Sequence, residues 1–96
     1  MSCSLSTHVL DLAAGVPAAG VVVELLREGA VVADARTGAD GRARLAEDLD
    51  AGVYTVRFHP PSSFFRRVEL EVTLTDGHTH LPLLVSPYGC ASYRGS

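Results

Sequence analysis

The chain has 96 residues, 47% of them hydrophobic, and a formal net charge of −3. That length predicts one domain over residues 1–96 with a modest core, of the size that oligomerisation often supports. The hydrophobic share is too high for a disordered chain, and the eight Lys and Arg form no run, which excludes an electrostatic partner such as nucleic acid or an anionic membrane.

The chain opens on Met1-Ser2-Cys3-Ser4, without a basic region followed by an apolar core, so no secretory signal is expected and the predicted location is cytoplasmic. No apolar stretch approaches the ~18 residues of a spanning helix. Cys3 and Cys90 match no zinc or redox spacing, and two unpaired thiols are expected. His8 lies in a β-like segment between Thr7 and Val9. Gly15 to Gly20 reads as a loop by its Gly and Pro content. Val21, Val23 and Leu25 then alternate with Val22, Glu24 and Leu26, which predicts a strand. Glu28-Gly29 marks a hairpin turn into a strand over 31–37, and Asp40-Gly41 marks the next turn, before a short strand from Arg42 to Leu45.

The acidic stretch Ala46–Asp50 reads as one helical turn or a loop. Gly52 opens a strand over 53–58, and His59-Pro60-Pro61-Ser62-Ser63 breaks the pattern, because consecutive prolines cannot serve a central ladder. Val68, Leu70, Val72 and Leu74 alternate with polar residues, so that strand has one covered and one wet face. Asp76-Gly77 turns the chain into a strand over 78–85, and Ser86-Pro87-Tyr88-Gly89 turns it into a last one. Seven or eight short strands with turns between them predict an all-β sandwich. Arg66 and Arg67 read as a solvated face, and His59 as a loop residue.

On a strand His78 and His80 face the same side, roughly 6–7 Å apart. With His8 they offer the donor types of a zinc site. No serine sits in a Gly-x-Ser-x-Gly elbow, and there is no phosphate loop or dinucleotide fingerprint.

Two segments carry a specific resemblance. His78-x-His80-x-Pro82-Leu83-Leu84-x-Ser86-Pro87 with the ending Tyr93-Arg94-Gly95-Ser96, and Leu5-Ser6-Thr7-His8-Val9-Leu10-Asp11 followed by Gly15-Val16-Pro17-Ala18, resemble the two ends of the 5-hydroxyisourate hydrolases, the enzyme branch of the transthyretin-like family. The resemblance implies a two-sheet antiparallel β-sandwich, and a homotetramer of edge-paired dimers with substrate sites in the channel between dimers. It also implies a cofactor-free, metal-independent hydrolase acting on 5-hydroxyisourate. His8, Arg42 and His80 match the catalytic residues, and Tyr93, Arg94, Gly95 and Ser96 match the tetrapeptide that lines the site. His78 matches a motif residue in a supporting position. A histidine with a near-neutral pKa suits water activation, and an arginine suits a developing oxyanion. Two departures stand out: the segment after Phe58 is shorter than in relatives and leaves no room for their short helix, and Cys90 stands where relatives carry tyrosine. Two other readings follow from the same residues: a transthyretin-like binding module without turnover, and a zinc hydrolase using His8, His78 and His80.

Overall fold

The computed structural model describes residues 2–95. In chain order the strands are β1 (Cys3–Asp11), β2 (Val16–Pro17), β3 (Val22–Arg27), β4 (Ala30–Arg36), β5 (Arg42–Leu49), β6 (Gly52–His59), β7 (Val68–Leu74), β8 (Gly77–His80), β9 (Leu83–Ser86) and β10 (Gly89–Ser92). They form two facing sheets, with no helix among the described residues. Ten strands exceed the seven or eight expected, for two local reasons. β2 is a two-residue bridge beside the end of β1. The predicted strand over 78–85 is split at Leu81-Pro82, where proline has no N–H to give a ladder.

β1 runs through the middle of the first sheet. Its first half pairs antiparallel with β5 on one side and parallel with β8 on the other. Its second half pairs with β2 and, in parallel, with β9, whose far edge carries β10. The sheet is therefore mixed, where an antiparallel one was expected. The gap at Leu81-Pro82 is bridged: Leu81 N–H donates to the Ser6 carbonyl at 2.9 Å, and the buried Thr7 hydroxyl donates to the Leu81 carbonyl at 2.6 Å. The second sheet has the order β4-β3-β6-β7. Its β3–β4 hairpin turns on Glu28 and Gly29, both at positive φ (53° and 81°), the backbone that a two-residue turn with right-handed twist requires.

Period-two alternation places the core. From β1, Cys3, Leu5, Thr7 and Val9 point inward; Leu45, Leu83 and Val85 join them. Val23, Leu25, Tyr54, Val56, Phe58 and Leu74 face them from the second sheet. Each large apolar side chain so buried contributes roughly 1.5–3 kcal/mol. Cys3 is buried and Cys90 exposed, and both are free thiols.

Two expectations are corrected. Ala46–Leu49 is not a helical turn: β5 continues through it, with two register shifts against β1 and Asp48 at a φ of 55°. Bulges of this kind absorb extra residues without ending a strand. His59 is not a loop residue but the last residue of β6, with Nε2 2.7 Å from Glu24 Oε1. Glu24 also lies 3.6 Å from Arg57, which bonds Glu69 at 2.9 Å, so the outer face of the second sheet is an ionic lattice. Arg66 and Arg67 are exposed, as expected, and Arg67 reaches Glu69 at 3.5 Å. The connector over 60–67 is irregular. It is held by the Ser62 hydroxyl, which accepts the N–H groups of Phe64 and Phe65, and by edge-on contacts of Phe64 with Phe65 and Tyr88.

Candidate active site

The residues of β1 that do not enter the core build the site. Ser4, Ser6 and His8 share the outer face of the first sheet. Register brings His8 opposite Arg42 and Ser6 opposite Arg44 on β5, while Ser4 lies beside His78 and Ser6 beside His80 on β8. Arg42 and His80 thus flank β1 from strands about 10 Å apart, two strand spacings. Between them lies a groove of about 330 Å³ whose lining includes Ser6, Asp40, Arg42, Arg44 and His80. A groove of similar size at the β3–β4 hairpin is lined by Arg27, Tyr54, Glu28 and Glu71, with Arg27 bonded to the Tyr54 hydroxyl at 2.7 Å; it holds no histidine.

The Asp40-Gly41 turn fixes both His8 and Arg42. The Asp40 carbonyl is 2.8 Å from His8 Nε2. A carbonyl only accepts, so His8 carries its proton on Nε2 and, when neutral, keeps an acceptor lone pair on Nδ1. Asp40 Oδ1 accepts the Arg42 backbone N–H at 2.9 Å. Gly41 has a φ of +77°, and a Cβ there would stand 2.5 Å from the Val9 carbonyl and 3.2 Å from the His8 ring. Gly41→Ala should therefore cost ~1–3 kcal/mol. At ~4–8 °C per kcal/mol for a domain of this size, a thermal melt should show a Tm lowered by about 4–24 °C, and an unchanged Tm would contradict the geometry.

His80 is half-buried. Desolvation pushes its pKa below the usual histidine value of 6.5, and the charge of Arg42, with those of His8 and His78 when protonated, pushes the same way. Its Nδ1 lies 2.8 Å from the Ser6 hydroxyl, which leaves Nε2 for a ligand in the groove. Gly95 packs against His80. Its N–H donates to the His80 carbonyl at 2.7 Å, in an isolated bridge, and a Cβ on Gly95 would stand 2.9 Å from His80 Cδ2.

His8, Arg42, His80 and Gly95 are thus gathered on one face. Tyr93 and Arg94 are exposed beyond the end of β10 and do not line the groove within a single chain. Ser96 lies outside the described residues. His78 is exposed, with Nδ1 2.6 Å from the Ser4 hydroxyl and Nε2 2.8 Å from that of Ser6. The zinc reading fails on geometry: among the described residues no group of three or more His, Cys, Asp or Glu converges to hold a metal. Sequence reasoning missed Asp40, Ser4 and Ser6. The alternation that exposes His8 also exposes both serines and was the available signal for them.

Two facing sheets of this topology, with a histidine–arginine face on the outside of one, define a transthyretin-like β-sandwich of the hydrolase type. Residues 5–95 match the model of the HIUase/Transthyretin family, and the chain belongs to that family. It is 43% identical to the 5-hydroxyisourate hydrolase of Caulobacter vibrioides, over 96% of this chain and 97% of that one. It is 40% identical, over the whole of both chains, to that of Halalkalibacterium halodurans. The latter alignment runs over 119 positions against the 96 residues of this chain, so this chain lacks positions its relative has. The structure of Klebsiella pneumoniae 5-hydroxyisourate hydrolase superposes with a TM-score of 0.90 at 38% identity, covering 98% of this chain and 99% of that one.

Proposed function

We propose that this chain hydrolyses 5-hydroxyisourate to 2-oxo-4-hydroxy-4-carboxy-5-ureidoimidazoline, a step of urate breakdown, as a single domain over residues 1–96. The observation that carries the reading is the meeting of His8, Arg42 and His80 on one sheet face; the hydrolase relatives supply the substrate. Neutral His80 takes a proton from water through Nε2. The hydroxide oxygen bonds to the amide carbonyl carbon of the six-membered ring. Arg42 holds the oxyanion that forms, and His8 orients the water through its Nδ1 lone pair. The ring C–N bond then breaks, and the proton held on His80 passes to the departing nitrogen. Water is added across one bond, with no cofactor or metal in any step. Following the decay of 5-hydroxyisourate made in place by urate oxidase, with and without this protein, tests the reading; an unchanged decay rate refutes it.

The lowered pKa of His80 gives this scheme a sign in pH. The base is competent above its pKa and is lost as pH falls through it, so the acid limb of kcat/KM should have its midpoint below 6.5. Arg42→Ala removes one of the charges that depress it, so residual activity in that variant should show the midpoint moved upward. A midpoint at or above 6.5 in the unsubstituted protein would place the base elsewhere.

The assembly follows the family pattern: a homotetramer of edge-paired dimers, its channel lined by His8, His80 and the tail, located in the cytoplasm. Supporting this, β7 and β10 lie at sheet edges, which invite pairing, and Leu12, Val16 and Tyr93 leave apolar surface exposed. No helix among the described residues is long and apolar enough to cross a membrane. Light scattering should give about four times the 10.1 kDa chain mass; a monomer at micromolar concentration would overturn the tetramer.

A further inference from the structure

The outer face of the first sheet holds a continuous hydrogen-bonded row: Ser4 Oγ to His78 Nδ1 at 2.6 Å, His78 Nε2 to Ser6 Oγ at 2.8 Å, and Ser6 Oγ to His80 Nδ1 at 2.8 Å. Parallel pairing of β1 with β8 produces it, because it sets Ser4 beside His78 and Ser6 beside His80 without offset. We propose that Ser6 is a positioning residue which, anchored by His78, holds the proton of neutral His80 on Nδ1 and so presents Nε2 as the base. This inference rests on the hydrolase reading above, because the proton transfer on His80 is what selects between the two polarities of the row; the tautomer is nevertheless read by a measurement that does not need turnover.

The donors in the row can be counted. A serine hydroxyl has one proton, so toward two ring nitrogens it donates to one and accepts from the other. With neutral rings the row has two polarities. In the first, His80 Nδ1–H donates to Ser6, Ser6 donates to His78 Nε2, and His78 Nδ1–H donates to Ser4. In the second every bond is reversed: His80 then carries its proton on Nε2, and its remaining lone pair is tied to Ser6.

Only the first survives the proton transfer in which His80 takes part. When Nε2 gains water's proton, the imidazolium has N–H on both nitrogens, and Nδ1–H still donates to Ser6. In the second polarity a protonated His80 would set Nδ1–H against the Ser6 O–H. The fixed charge of Arg42 on β5 favours the neutral His80 ring before reaction, and His8 on β1 and His78 on β8 add to it only when they are themselves protonated. The other charged group opposite Ser6 is Arg44, whose guanidinium is bonded to Glu47 at 2.6 Å. A free histidine prefers Nε2–H in water, so the arrangement works against the intrinsic preference of the ring.

The test reads the ring nitrogens directly. The chain has four histidines, so long-range proton–nitrogen correlation on uniformly labelled protein at pH 7.5 can be assigned by single substitutions. His80 is expected to show a protonated Nδ1 and an unprotonated Nε2. Ser6→Ala should move it toward Nε2–H, and Ser6→Thr, which keeps the hydroxyl, should restore the first form. A locked wrong tautomer costs ~10⁴-fold in kcat in the serine-protease triad; a ring freed to sample both keeps a minor competent fraction and should lose roughly 5-fold, with KM little changed and kcat recovered in Ser6→Thr.

If Ser6→Ala does not fold, His78→Ala, at an exposed residue, removes the acceptor for the Ser6 hydroxyl and should also mix the His80 tautomers. An Nε2–H ring in the unsubstituted protein, an unchanged tautomer in the variants, or a tautomer shift with undiminished kcat would each overturn the proposal. Absence of any hydrolysis by the unsubstituted protein would instead remove the hydrolase reading, and the nitrogen spectra would still decide the tautomer.

Discussion

Replacing Arg42 with alanine is expected to lower kcat by ~10²–10³-fold, the usual loss when one oxyanion-stabilising group is removed. The fold should be retained. Arg42 is exposed, and what it gives the Asp40 turn is its backbone N–H, which alanine keeps. Arg42→Lys separates charge from shape: it retains the positive charge but loses the planar fork, so a partial recovery would assign part of the effect to charge alone. His80→Ala should be as damaging, ~10²–10⁴-fold, because it removes the proton acceptor itself. The two should not add fully, since both act on the same transition state. Near-normal turnover in either variant, with decay of 5-hydroxyisourate as the readout, would sink the assignment.

Much of this arrangement is legible in the sequence, but unevenly. The Glu28-Gly29 hairpin and the alternation of Val21, Val23 and Leu25 follow from short-range rules, and they are found where expected. The β5 extension through Ala46–Leu49 was not legible, because its acidic composition suits a loop and only pairing with β1 holds it extended. The break at Leu81-Pro82 was signalled by proline, yet the split could be placed only once Ser6 and Thr7 were seen to bridge it.

For the site, His8, Arg42 and His80 were named through the family resemblance, not from spacing; more than 70 residues separate His8 from His80. Their meeting depends on parallel pairing across that distance, which no local pattern encodes. Asp40 was seen only as half of a turn signal, although its carbonyl sets the His8 tautomer. The serines were invisible for a simpler reason: a hydroxyl beside a strand histidine gains a role only when the neighbouring strand is known.

Deleting Tyr93 to Ser96 should lower activity at least ~10²-fold while leaving the fold largely intact. On the stability side, among the described residues the deletion removes the backbone bond from Gly95 N–H to the His80 carbonyl, with a net value of ~0.5–1.5 kcal/mol. Tyr93 and Arg94 are exposed and contribute little to the core. At ~4–8 °C per kcal/mol for a domain of this size, Tm should fall by about 2–12 °C. On the activity side, Gly95 packs directly against His80, and a misplacement of about 1 Å in a reacting group costs ~10²-fold. A milder variant probes the same contact without shortening the chain: Gly95→Ala would bring a methyl to 2.9 Å from His80 Cδ2, so the ring or the tail must move. It should lose activity in the same direction, and a tag at the C-terminus should harm turnover more than one at the N-terminus. A truncated protein that stays folded, keeps its oligomeric state and turns over 5-hydroxyisourate at the full rate would show that the tail has no part in the site.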